Sequence, residues 1–188
     1  MLVLASQSPR RREILAQAGL PFIVRVSGVE EIRNAAETPE EYVSRLASQK
    51  AHAALESPEE YVLAADTVVV VDGDVLEKPR SVEEAGAMLG RLSGRSHAVL
   101  TGVCLLHAGA EQARVESTQV YFSPLSEREI HDYCASGEPM DKAGAYAIQG
   151  LASKFIERIE GCYFNVVGLP ISLVYRLLRE AGYRFKAR

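Results

Sequence analysis

Apolar positions along the chain alternate between short runs and stretches of helical period, and polar caps and turn residues separate them. Residues 1–5 form an apolar run that reads as a strand. Ser8, Pro9 and Gly19 then supply an N-cap, a first helical position and a stop for a first helix. Residues 22–26 read as a second strand, and the polar, acidic stretch 27–38 as a loop. Thr38-Pro39-Glu40-Glu41 is a capping-box signature that opens a helix to about Leu55. Residues 61–71 are valine-rich and broken only by Asp66-Thr67. Asp72-Gly73 then turns the chain into a short strand, Asp74-Val75-Leu76. Ser81-Val82-Glu83-Glu84 carries a second capping-box signature, for a helix to about Leu92. Residues 97–106 and 112–122 pair around Ala108-Gly109-Ala110, and Ser126-Glu127-Arg128-Glu129 starts a helix that stops near Gly137. A turn-rich loop at 138–144 leads to two expected short strands, 146–148 and 162–167. A last helix spans 170–181, ended by Gly182. Hairpins mixed with helical crossovers predict an α/β fold with a mixed sheet and a cleft. No repeat or linker divides the 188 residues, so the expectation is one domain, 1–188, or two lobes around one cleft.

Composition narrows the function classes. Apolar content of 47% and charged content of 24% fit a folded globular chain, and a net charge of -4 argues against a nucleic-acid polymer as partner. Cys104, Cys134 and Cys162 are odd in number and far apart, as reduced thiols in a reducing compartment would be. The N-terminal residues lack a basic n-region and meet arginines at once, so no signal peptide is expected. No apolar run approaches the ~18 residues of a membrane span. A cytoplasmic protein without membrane contact is expected. The Walker, dinucleotide, HExxH and nucleophile-elbow signatures are absent, and the four histidines are scattered.

Several positions carry candidate chemistry. Arg10, Arg11 and Arg12 fall in the first turn of the first helix, where partial positive charge disfavours them. They fit there if an anion is held by Ser6, Ser8, backbone N–H groups and guanidinium forks, the alternative being a solvated basic cluster. Asp66 interrupts a valine-rich strand, and an unpaired buried carboxylate costs several kcal/mol. It is a candidate catalytic base or metal ligand, or else the cap of a bulge. Glu30 and Glu31 lie in an acidic loop, and Glu31 with Asp66 would suffice for Mg²⁺, which needs one or two carboxylates beside substrate phosphates. Lys50 lies on a helix, ordinarily a surface position. Lys78 is held extended by Pro79. Gln149 offers an amide donor and acceptor that match N3–H and O4 of uracil or thymine, although an amide free to flip could also meet cytosine.

Six ordered stretches together resemble the Maf family of nucleotide pyrophosphatases: Ser6-Gln7-Ser8-Pro9-Arg10-Arg11, Gln49-Lys50-Ala51, Ala65-Asp66-Thr67-Val68-Val69, Leu76-Glu77-Lys78-Pro79, residues 141–150 and residues 165–170. The Tyr146-Ala147-Ile148-Gln149-Gly150 and Val167-Gly168-Leu169-Pro170 segments are similar to the branch acting on dTTP and UTP rather than on methylated GTP. The resemblance implies an elongated mixed β-sheet flanked by helices around a central nucleotide-binding cleft, often as a homodimer. It implies hydrolysis of a nucleoside triphosphate to the monophosphate and pyrophosphate with a divalent cation, Mg²⁺ or Mn²⁺. Asp66 would match the proton acceptor, with Lys50 and Lys78 beside it in catalysis. Ser6, Arg10, Lys50 and Lys78 would match the phosphate cluster, and Arg11, Thr67 and Gln149 the positions of base selectivity. Glu31 is the candidate second metal ligand. Arg12 and Cys162, which stands where serine is frequent, depart mildly from the pattern. The competing expectations are the same reaction on modified or methylated nucleotides, and a nucleotide-binding regulator of cell division with little turnover.

Overall fold

Side-chain caps fix where the helices begin. In the computed structural model, which describes residues 1–34 and 36–185, the Ser8 hydroxyl accepts from the Arg11 N–H and starts α1 (Pro9–Gln17). Thr38 and Glu41 form the expected reciprocal box at the start of α2 (Pro39–Ala54). At α3 (Val82–Leu92) the box is only half made. Ser81 accepts from Glu84 N–H, but the Glu84 carboxylate accepts from Arg80 N–H at 2.7 Å instead of from the cap residue. Ser126 and Glu129 complete the box at α4 (Glu127–Ala135). The described part of 27–38 is loop, as expected; residue 35 lies outside the described residues.

Seven strands form one mixed sheet among the described residues: β1 (Leu2–Leu4), β2 (Ile23–Val24), β3 (Tyr61–Val71), β4 (Asp74–Leu76), β5 (Ser96–His107), β6 (Ala110–Phe122) and β7 (Ile156–Glu160). The order is β2-β1-β3-β5-β6-β7, with β4 on β3. β1 runs parallel to β2 and to β3, with Leu4 opposite Val24 and Leu63. β4 on β3 and β7 on β6 are antiparallel.

Two expectations are corrected. Residues 146–148 are not a strand; they run through irregular backbone between short 3₁₀ turns. Residues 162–167 are not a strand either, since Tyr163–Val167 form the short helix α5. The cause is a buried polar network. Asn165 is fully buried, and its Nδ2 donates to Val99 O at 2.9 Å and Thr118 Oγ1 at 3.0 Å; Thr118 Oγ1 in turn accepts from Cys162 N–H at 3.0 Å. Satisfying a buried amide outweighs the strand preference of the aromatic and β-branched residues beside it. The unforeseen β7 is exposed at three of its five positions, so it carries no apolar alternation to announce it. The last helix, α6, is Ile171–Glu180.

The chain divides into two compact units. The first comprises residues 1–66, 101–116 and 168–188, and the second residues 67–100 and 117–167. In the first, Ala47, Ala51 and Ala54 of α2 pack on Val3, Ala5, Val62, Ala64, Cys104 and Leu106 of the sheet. Small side chains on both faces let the helix lie unusually close. A Cβ at Gly102 of β5 would stand 2.3 Å from Val43 O of α2. In the second unit, Val69, Leu76, Leu89, Phe122, Tyr146 and Phe155 share a core with Met88 and Leu92. His97 is buried in that unit between Phe122 and Tyr146, with Nε2 at 2.7 Å from the Tyr146 hydroxyl.

Gly102→Ala is therefore expected to destabilise by about 1–3 kcal/mol, since the atom in its way is backbone and α2 must move. Gly90→Ala, in α3 with nothing within 4 Å of the new methyl, should stabilise by ~0.5–1 kcal/mol. Urea unfolding of the pair checks the contrast. Burial also holds the His97 imidazole down at about 4, from an ordinary 6.5. Between those values the unfolded chain binds a proton that the folded chain refuses, so stability falls as pH drops from 6.5 toward 4. That part of the slope should vanish in His97→Phe when unfolding free energy is measured against pH.

Candidate active site

The first unit gathers Asp66, Lys50 and Glu31. Asp66 shares a strand face with Ala64, two residues back on β3, and that face is covered by the alanine side of α2. Because the helix lies so close, the buried Lys50 side chain delivers Nζ to 2.6 Å from Asp66 Oδ1. Nζ also lies 2.5 Å from Glu31 Oε1. Lys50 is 8% exposed and Asp66 7%, whereas the Glu31 side chain is 44% exposed. The position that a helical lysine ordinarily takes, at the surface, is not the one adopted: a buried carboxylate needs a partner, and Lys50 is it.

Glu31 reaches Lys50 because two further α2 side chains hold its loop. Tyr42 Oη donates to Glu31 O at 3.2 Å, and Arg45 Nη2 donates to Ile32 O at 2.9 Å. Arg45 also grips Glu37 through Nε at 2.5 Å and Nη2 at 2.8 Å, which holds the Glu37 carboxyl below the usual range. Sequence reasoning passed over Tyr42, Arg45 and Glu37. Tyr42 and Arg45 are three residues apart on one face of α2 and Glu37 lies just before it, but nothing in that spacing names a loop as the partner. Glu30, considered beside Glu31, is exposed.

The loop from β1 to α1 lies in the same unit. Ser6 is buried, and its Oγ accepts from Ser8 N–H at 3.2 Å and from Arg11 Nη1 at 3.4 Å. Arg11 Nη1 donates to Ala65 O and Nε to Gly168 O, each at 2.7 Å. Burial lowers the Arg11 pKa, and the carboxylates of Asp66 and Glu31 oppose that shift. The three first-turn arginines are thus not equivalent. Arg11 ties the helix start to the carbonyl preceding Asp66 and to the segment before α6; Arg10 is half-buried; Arg12 is exposed, 3.5 Å from Gln7 O.

Asp66 and Glu31 are two carboxylates that meet at one ammonium and could hold a cation, and among the described residues no cluster of three or more His, Cys, Asp or Glu side chains is assembled. An all-oxygen pair suits Mg²⁺ or Mn²⁺, which complete their shells with water and phosphate oxygens, and does not suit a metal that requires nitrogen or sulfur.

Thr67, Lys78 and Gln149 belong to the second unit. Thr67 is half-buried on β3, and Lys78 is exposed just after β4. The segment 142–146 is docked beside Lys78: Gly144 N–H donates to Glu77 O at 3.2 Å. Gly144 has φ +66°, and a Cβ there would come within 2.7 Å of Val69 Cγ2, so both conformation and space call for glycine. Gln149 is exposed in a turn closed by Gly150 N–H to Ala147 O at 3.1 Å.

Comparison with known proteins places these residues in a family. The family model of the Maf-like proteins matches residues 1–181. A dTTP/UTP pyrophosphatase of Symbiobacterium thermophilum is 54% identical over 97% of this chain and 94% of its own length. One of Koribacter versatilis is 50% identical over 96% and 94%, respectively. Among solved structures, the Ham1 protein of Staphylococcus aureus matches with a TM-score of 0.53 over 95% of this chain and 98% of its own, at 14% identity, a likeness of fold alone.

The arginines give a direct test of the local geometry. Arg11→Ala should destabilise by about 1–3 kcal/mol, because buried carbonyls lose a charged donor. Arg12→Ala should stay within about 0.5 kcal/mol of wild type. Chemical denaturation of both variants, without nucleotide, reads the difference.

Proposed function

The chain belongs to the Maf family, and from that membership we propose that it hydrolyses dTTP and UTP to the nucleoside monophosphate and pyrophosphate. The observation that carries the reading is the buried Lys50–Asp66 pair with Glu31 on the same ammonium. The ammonium fixes the Asp66 carboxylate in one orientation, as a group that must position a water requires, and the partial exposure of Glu31 leaves the pair open to solvent.

In this reading Asp66 orients the attacking water and accepts its proton as the anhydride bond between α- and β-phosphate breaks. Lys50 keeps the Asp66 carboxylate in one orientation. Asp66 and Glu31 would hold a divalent cation, Mg²⁺ or Mn²⁺, which supplies charge neutralisation on the phosphates and a more acidic bound water. Ser6, Ser8 and Arg10 bind phosphate oxygens at the start of α1, where backbone N–H groups add to the positive field. Arg11, through its bond to Ala65 O, also fixes the backbone that presents Asp66. Lys78, Thr67 and Gln149 keep the phosphate- and base-binding roles expected from the sequence. The protein works in the cytoplasm, where its three free thiols stay reduced; burial pushes the Cys104 thiol up to about 12 and leaves it inert.

Asp66→Asn is expected to lower kcat by about 10²-fold or more with dTTP or UTP while the fold is retained. Phosphate release is followed with and without added inorganic pyrophosphatase, so that pyrophosphate is the species detected. Near wild-type kcat in folded Asp66→Asn would remove Asp66 from the chemistry. Across a substrate panel, dTTP and UTP should fall within about tenfold of each other, the methyl group being worth ~1 kcal/mol. A wild-type protein that turns over neither would overturn the reading.

A further inference from the structure

The turn that exposes Gln149 is held at both ends by one pair of side chains. Ala147 N–H donates to the Tyr133 hydroxyl at 3.3 Å, Tyr133 O–H donates to Glu138 Oε1 at 2.8 Å, and Leu151 N–H donates to Glu138 Oε2 at 3.1 Å. The two amides lie two residues before and two after Gln149, and the turn between them is closed by Gly150 N–H to Ala147 O. The direction of each bond is forced. A phenol has one proton, which goes to the carboxylate, and its oxygen is left to accept the amide; the carboxylate then has one oxygen for each donor. Burial raises the Tyr133 pKa, so the phenol keeps its proton.

The surroundings are built for this contact. Tyr133 lies in the last turn of α4, 3% exposed, with its ring edge-on to Phe155. Ser136 Oγ donates to Tyr133 O at 2.6 Å and accepts from Glu138 N–H at 3.2 Å, and Gly137, at φ +75°, turns the chain so that Glu138 faces back. A Cβ at Gly150 would stand 2.4 Å from Glu138 Oε2, so glycine is what lets the carboxylate come so near the backbone. Ala147 and Ile148 are buried while Gln149 projects outward. A backbone pinned on both sides of Gln149 restricts where its side-chain amide can sit, a condition for selectivity between uracil and cytosine edges.

We infer that Tyr133 and Glu138 are positioning residues that clamp the 147–151 turn and thereby set the base discrimination exerted through Gln149. This rests on the base-reading role proposed for Gln149. Tyr133→Phe removes both bonds of the hydroxyl and keeps the ring; Glu138→Gln keeps the shape and one acceptor. In the full chain, kcat/KM for UTP and for CTP, melting temperature, and hydrogen exchange at the Ala147 and Leu151 amides are measured for both variants and for Gln149→Ala. The expected result is faster exchange at the Ala147 amide, whose acceptor is the lost hydroxyl, in Tyr133→Phe, and a UTP-to-CTP ratio that falls about tenfold toward that of Gln149→Ala, with kcat for UTP nearly kept and KM raised. Glu138→Gln should fall between. A purely structural role would lower the melting temperature and leave the ratio alone. Folded variants whose ratio is unchanged, while Gln149→Ala collapses it, overturn the inference, as do unchanged amide protections. If Gln149→Ala itself leaves the ratio intact, the base-reading role fails and the selectivity claim falls with it, and the exchange data then decide whether the clamp exists.

Discussion

Asp66 is a charge that the first unit has to accommodate inside a valine-rich strand, and the surrounding architecture follows from that need. The partner must be cationic, long enough to reach, and anchored on something rigid. Lys50 meets these conditions only because the helix bearing it presses its alanines against Ala5 and Ala64, and its Val43 carbonyl against Gly102. The same helix reaches outward with Tyr42 and Arg45 to hold the loop bearing Glu31. One helix therefore organises an acidic pair from two unconnected segments around a single ammonium.

The sequence was most informative where local chemistry decides the outcome. Helix starts at Ser8, Thr38, Ser81 and Ser126, the hairpin at Asp72-Gly73 and the long strand through Asp66 are all where side-chain caps, turn residues and β-branched runs place them. It was least informative where a distant group decides. Residues 162–167 have strand-forming side chains, but Asn165 must satisfy its amide on Val99 and Thr118, far away in the chain. β7 pairs through its backbone with three of its five side chains exposed, and Ile156 and Ile159, which pack on the core, are three residues apart, so no alternation marks it.

The candidate site shows the same division. Asp66 stands out because aspartate is out of place in a valine strand. Lys50 does not, because nothing in a helical lysine reveals that a carboxylate lies opposite it. Arg11 reads from the sequence as a charge that fits a helix N-terminus if an anion is held there; in the fold its guanidinium also reaches Ala65 O, Gly168 O and Ser6 Oγ, acceptors that are contiguous only once the chain has folded.

The alanines of α2 bear no functional group, yet they set the distance over which one acts. Larger side chains at Ala47 or Ala51 would press on the sheet and push away from it the helix that carries the ammonium. Inventories of functional residues drawn from reactive side chains would omit such positions. Here the spacer is as much a determinant of the chemistry as the charge it delivers, and drift toward larger residues on that face would erode activity with every polar group still in place.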